Sequence, residues 1–273
     1  MNVAPASVPS VEAVDLDLPG SLYAQHRDEI AVLALARPEK RNALDRATVR
    51  GIEAFFTALP STTKAVVLAN EGYHFCSGLD LSEATELGLA QSIALSRSWH
   101  SAFERIEFAK VPVIAVLKGA VIGGGLELAA ACHIRVAERS AYYALPEASR
   151  GIFVGGGGSV RLPRLIGTAR MTDMMLTGRI YDAEEGQAAG ISHYLVAPGA
   201  GLATGLELAS RIGGNPAMSN FAITHVLPRI AESDPASGYL TEALMAAVAG
   251  GSDETKERLT AFLEKRVAKT LRA

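Results

Sequence analysis

The sequence is poor in the features that mark specialised classes of protein. Two cysteines, Cys76 and Cys132, are too few for a disulfide framework. They stand in no Cys/His spacing of the kind that holds a metal, so no metal site is expected. A net charge of −3 leaves no basic footprint for nucleic acid. No run of about 18 uninterrupted apolar residues occurs, which argues against a membrane span. The opening Met1 to Gly20 lacks a basic start followed by an apolar stretch and does not read as a signal peptide. Its Pro, Ser, Val and Asp content predicts a mobile tail. The glycine runs do not follow the dinucleotide pattern, and no Gly-Lys-Ser/Thr phosphate loop is present. Ser77 lies in Cys-Ser-Gly, outside a nucleophile-elbow setting. His74, His100 and His133 have no metal-ligand spacing. With 49% hydrophobic and 20% charged residues, what remains is an ordinary globular chain able to build a sizeable core. Its cysteine usage suits a reducing cytoplasm.

Along the chain, Leu22 to His26 and Ile30 to Ala36 flank Arg27-Asp28-Glu29 and predict a hairpin. Asp45 is placed to cap a helix whose apolar positions Val49, Ile52, Phe55 and Phe56 keep helical spacing. Ala65 to Ala69 reads as a buried strand. A helix carrying Leu95, Trp99, Phe103 and Ile106 follows, then a strand over Val113 to Leu117. Ile134 to Ala137, Tyr142 to Leu145 and Ser192 to Ala197 are further strand candidates. Repetition of strand, loop and helix argues for α/β layers. From Gly201 onward the pattern is helical, ending in a helix over about Asp253 to Leu271 with acids at its start and Lys265, Arg266 and Lys269 near its end. The expected organisation is a tail over 1–20, an α/β core over 21–212 and a helical region over 213–273.

Chemistry concentrates around Gly123-Gly124-Gly125. These glycines precede a strong helix former, Leu126 to Ala131, so they offer open backbone N–H groups at a helix N-terminus, a natural place for a developing oxyanion. Gly78-Leu79 offers a second such donor. Two acids have unusual surroundings: Glu127 lies between leucines in an apolar helix, and Glu147 follows Leu145-Pro146 at a strand end. Burial would raise either carboxyl toward a range useful for proton transfer. Taken by themselves, the same residues also fit a tight turn and two carboxylates paired with Arg135 or Arg150.

Several stretches, in order, resemble the crotonase superfamily, the enoyl-CoA hydratase/isomerase group. They are Arg37-Pro38 with Asn42-Ala43-Leu44, Phe75 through Leu81, Gly119 through Glu127, Pro146-Glu147, Leu162 through Gly167, and Thr260 through Arg266. The resemblance implies an α/β fold, a crotonase-like spiral of ββα units with a helical C-terminal region. It implies an acyl-CoA thioester as substrate and a homotrimer or dimer of trimers, with no cofactor, since coenzyme A is part of the substrate. Leu79 and Gly124 would hold the thioester oxygen, with Glu127 and Glu147 handling water and the α-carbon proton. Ala43 and Gly124 would contact the substrate, Leu79, Asp80, Leu81 and Ser82 would line the coenzyme A path, and Phe262 and Lys265 would reach coenzyme A near a subunit boundary. Glu83 to Ser96 would border the acyl pocket. Ser82 stands where many hydratases carry Lys, and Gly155 lacks the Asp of dienoyl-CoA isomerases. Hydration of a 2-enoyl-CoA is the leading expectation. An isomerase, another hydrolase or lyase of this fold, and a non-catalytic acyl-CoA-binding protein are the alternatives.

Overall fold

A computed structural model describes residues 11–13, 16–83 and 87–264. The chain divides into two compact units, Met1–Arg211 and Ile212–Ala273.

The first unit is organised by a seven-stranded sheet of order β1-β2-β3-β4-β5-β7-β9. β1 (Val11–Ala13), within the segment read as a tail, pairs antiparallel with β2 (Leu22–Arg27), which forms the expected hairpin with β3 (Ile30–Leu35). Helix α1 (Arg46–Thr57) then crosses to β4 (Ala65–Asn70), parallel to β3. Asp45 caps α1 as expected, its carboxylate accepting the Thr48 N–H at 2.7 Å. The helix buries Val49, Ile52, Phe55 and Phe56 on one stripe. Every residue of β4 is buried, as suits a strand inside a sheet covered on both faces. Helix α2 (Leu89–Glu107) leads to β5 (Val113–Leu117), parallel to β4.

From here the chain repeats a pattern. β5, β6 (Ala120–Ile122) and α3 (Gly124–Ala131) are followed by β7 (Ile134–Glu138), β8 (Tyr142–Ala144) and, after a loop, α4 (Gly158–Ile166). β5 and β7 pair in the large sheet, while β6 and β8 pair parallel in a second, two-stranded sheet. A bridge from Cys76 to Val121 extends that small layer by one more segment. Each turn of the spiral is therefore a strand in the large sheet, a strand in the small one and a helix. β6 is not evident in the sequence, because three residues are too few to show periodicity. Helices α5 (Thr168–Thr177) and α6 (Ala183–Ala189) precede β9 (Tyr194–Val196), the last strand, and α7 (Gly201–Gly213) follows.

Two loops are locked together by one polar side chain. Asn42 is 2% exposed with φ 55°, a left-handed conformation that asparagine tolerates. Its Oδ1 accepts the Arg37 N–H at 2.8 Å, and its Nδ2 donates to the Glu71 and His74 carbonyls at 3.0 and 2.8 Å. Leu44 N–H then donates to the Gly78 carbonyl at 2.8 Å, and Asp80 N–H to the Leu44 carbonyl at 2.9 Å. Arg37 adds ion pairs to Asp80 at 2.8 Å and Asp45 at 3.2 Å. The backbone of Leu79 is thereby held between fixed neighbours.

The second unit is helical: α8 (Ala217–Phe221), a π-turn over Ala222–Val226, α9 (Leu227–Glu232), α10 (Pro235–Gly250) and α11 (Asp253–Leu263). The end of the last expected helix, with Lys265, Arg266 and Lys269, lies outside the described residues. Among the described residues no helix is long and apolar enough to cross a membrane.

Leu68, in the middle of β4, is fully buried in the main core. Leu68→Ala should cost about 2–5 kcal/mol, because the rigid sheet cannot close over the void. Urea unfolding measures this, and a loss below about 1 kcal/mol would show that the sheet relaxes around the site.

Candidate active site

Helix α3 is apolar all round and every one of its residues is buried, Glu127 included. A carboxylate at 2% exposure must find hydrogen bonds inside the protein. It finds them in the second glycine cluster. Glu127 Oε2 accepts the N–H groups of Gly156 and Gly158, each at 2.7 Å, and Oε1 accepts that of Gly155 at 3.3 Å. A Cβ on Gly158 would lie 2.7 Å from Glu127 Cγ, so this close approach needs glycine. Burial raises the Glu127 pKa, while the three N–H groups and Arg161 pull it back down. Arg161 is itself fixed by an ion pair to Glu107 at 2.6 Å and by donating to the Gly156 carbonyl at 3.1 Å.

Glu147 is treated differently. It is 6% exposed, and its Oε2 is buried with no hydrogen-bond partner among the described residues. Its Oε1 approaches Gly123, where a Cβ would lie 2.6 Å away. Burial, reinforced by the nearby Glu127 charge and opposed by Arg150, pushes its pKa up to about 7. Arg135, one of the pairing partners open to it in sequence, instead donates to the Ile191 and Cys132 carbonyls.

The two glycine turns meet. A Cβ on Gly124 would sit 3.5 Å from the Leu79 nitrogen, and one on Gly78 would sit 3.3 Å from the Gly124 nitrogen. Neither the Leu79 nor the Gly124 N–H donates to any acceptor among the described residues. Two open donors side by side, one of them at the N-terminus of α3, suit an oxygen that gains negative charge. Trp99 packs over this turn so closely that a Cβ on Gly124 would fall 2.5 Å from its ring.

Leu79, Gly124, Glu127 and Glu147 line a single cavity of about 360 Å³. Leu81 lines it as well, as do Leu87, Ser92, Leu95 and Ser96 from the segment expected to border the acyl pocket, of which 84–86 lie outside the described residues. Ala43, Asp80 and Ser82 do not line it. The Ala43 carbonyl accepts from Arg37 at 3.4 Å, and Asp80 takes Arg37 and the Ser82 hydroxyl, at 2.8 and 2.7 Å. Those bonds hold the Asp80 carboxyl below its usual range, the Ser82 hydroxyl contributing most. Phe262 is a half-exposed residue of α11 in the second unit, and Lys265 lies outside the described residues. The sequence reading missed the carboxylate cradle formed by Gly155, Gly156 and Gly158. Its visible signal was four consecutive glycines, 155–158, but nothing local joined them to Glu127.

Residues 25–270 match the family model described as enoyl-CoA hydratase/isomerase. The chain belongs to the enoyl-CoA hydratase/isomerase family. A solved structure of an enoyl-CoA hydratase homologue from Rhodopseudomonas palustris is 52% identical, with a TM-score of 0.88 over 90% of this chain and 95% of that one. The hydratase/isomerase homologue YngF of Bacillus subtilis is 31% identical over 90% of this chain and 96% of its own. The short-chain-enoyl-CoA hydratase of Clostridium acetobutylicum is 29% identical over 87% and 92%. These relationships establish the crotonase fold and a hydratase-type enzyme.

Because the Glu147 pKa is raised on folding, its contribution to stability is fully present below about pH 4.5 and is lost as pH rises through about 7. Glu147→Gln cannot ionise and should escape that loss. We expect the variant to gain on the order of 3 kcal/mol over the parent protein between pH 4.5 and pH 8, read by urea unfolding at both values. Parallel stability curves for the two proteins would contradict the raised pKa.

Proposed function

We propose that this hydratase-type enzyme adds water to a 2-enoyl-CoA to give a 3-hydroxyacyl-CoA, or catalyses the reverse. The observation that carries the reading is the unequal treatment of two carboxyls facing one cavity. Glu127 is anchored by three N–H groups that favour its charged form, which suits a base. Glu147 keeps an unpartnered oxygen and a pKa of about 7, which suits a group that delivers or removes a proton at neutral pH.

In the hydration direction the thioester oxygen lies between the Leu79 and Gly124 N–H groups. Glu127 takes one proton from water as its oxygen bonds to the β-carbon. The electron pair of the carbon–carbon double bond moves toward the thioester, giving an enolate whose negative oxygen the two N–H groups stabilise. Collapse of the enolate takes the proton of Glu147 onto the α-carbon. The proton must then pass from Glu127 back to Glu147 before the next turnover. The chemistry needs the chain's own residues and water, with coenzyme A entering only as part of the substrate. An isomerase of this fold needs one base, and the presence of two distinct carboxyls favours hydration.

The homotrimer, or dimer of trimers, is part of the proposal. Helix α10 leaves Leu240, Leu244 and Val248 exposed at four-residue spacing, 63%, 61% and 55%, with Tyr239 beside them. An apolar stripe of that kind on a helix calls for a partner surface. Cytoplasmic residence, suggested by the cysteine usage, belongs to the same reading.

Glu127→Gln and Glu147→Gln should each lower turnover by about 10²–10⁴ while retaining binding of an acyl-CoA product analogue. Full activity in either variant would sink the proposal, and retained cellular function in the inactive double variant would favour a binding protein. Since Glu147 must carry its proton for hydration, kcat/KM for hydration should fall as pH rises above about 7. Light scattering should give a trimer or hexamer for the parent chain and smaller species for Leu244→Asp; an unchanged mass for that variant would remove α10 from the interface.

A further inference from the structure

One cationic side chain among the described residues lines the active cavity, and the proposed hydration gives it no task. Arg150 ends the short turn Ala148–Arg150 directly after Glu147. Its N–H donates to the Glu147 carbonyl at 3.0 Å, and Gly151, with φ 70°, closes the turn, so its backbone is tied to that of the carboxyl group. Its guanidinium forms no ion pair or hydrogen bond with any described residue. Glu147 forms no ion pair with it among the described residues, although the two charges attract: one carboxyl oxygen turns toward Gly123 and the other has no partner. The chain next to Arg150 continues into the cavity wall as Ile152, Phe153 and Val154, all apolar. Arg150 is exposed, so its five donors are open to solvent at the rim of this wall, and a planar carboxylate is the group they meet best.

We propose that Arg150 receives a carboxylate carried by the acyl group, so that the substrates are 2-enedioyl-CoA monothioesters rather than simple fatty enoyl esters. The inference rests on the hydratase reading of the site. Arg150 stands three residues from Glu147, the group assigned to the α-carbon, and lines the same cavity. The phosphates of coenzyme A are separated from the thioester by the whole pantetheine arm. Bidentate pairing with Arg150 would orient the far end of the acyl group, while the apolar wall holds its methylenes.

The test compares a series of 2-enedioyl-CoA esters of increasing length with neutral 2-enoyl-CoA esters matched in length. The parent protein should favour at least one carboxylated ester by about tenfold or more in kcat/KM. Arg150→Gln should bring that ratio close to one, and Arg150→Lys should restore part of it. The ratio is the readout because losing the Arg150 charge also affects Glu147, and that effect falls on both series alike. No preference in the parent protein, or a preference that survives in Arg150→Gln, overturns the inference. Weaker inhibition by free coenzyme A in Arg150→Gln, with an unchanged ester ratio, assigns the guanidinium to the phosphates and overturns it too. Calorimetric binding of saturated dicarboxylic and monocarboxylic acyl-CoA esters reads the same preference without turnover. If neither series is turned over but the binding preference holds and depends on Arg150, the hydratase reading fails while the carboxylate site stands.

Discussion

A charged carboxylate can sit inside an apolar helix only if the protein surrounds it with donors that cost nothing to organise. Glu127 meets this constraint with backbone N–H groups from a loop of glycines some thirty residues further along the chain. The requirement runs in both directions. The loop must come close enough to donate at 2.7 Å, and the space at Gly156 and Gly158 leaves no room for a side chain against Trp99, Phe103 and Glu127. Arg161, held by Glu107, supports the loop from behind through the Gly156 carbonyl. The arrangement fixes one oxygen of Glu127 tightly and leaves the other loosely held.

The pair of N–H groups depends on a different constraint, the interlocking of two turns. Leu79 is held through the hydrogen bonds of Leu44 with Gly78 and Asp80, and Leu44 in turn follows Asn42, which closes three loop contacts with a single side chain. Gly124 is placed by the small β6–β8 sheet and by the Gly123 N–H, which donates to the Ala144 carbonyl at 2.9 Å. β8 also leads directly to Glu147. The small sheet therefore sets the distance between the Gly124 N–H and the second carboxyl. The ββα spiral, rather than a single sheet, thus builds the cavity: its second layer positions the cavity-lining Gly124 and Glu147, and the large sheet carries the core.

The division of labour between the two acids follows from solvation. Burial raises the pKa of both, but three N–H groups oppose the rise at Glu127, whereas Glu147 keeps an oxygen without a partner among the described residues and a pKa pushed up to about 7. Arg150 moderates that effect from the next turn of chain without closing an ion pair. A tight pair would have favoured the ionised form of Glu147 at neutral pH.

Much of this was legible in the chain itself. The Asp45 cap, the stripe on α1, the buried strand β4 and the glycine turn before α3 are local features, written in spacing and side-chain type. The two glutamates stood out because their neighbours are apolar. What no local pattern held was the meeting of distant segments: the Gly155–Gly158 loop with Glu127, Leu79 with Gly124, Trp99 over the glycine turn, and Arg150 at the cavity wall. Asn42 and the three-residue strand β6 were equally opaque, the one because its partners lie some thirty residues away, the other because it is too short to show a period. Sequence by itself determined which segments could be strand, helix or turn and which side chains could carry chemistry, since those depend on near neighbours. Tertiary structure alone decided which carboxyl is compensated and which is not, because desolvation and hydrogen bonding are set by whatever the fold brings into contact.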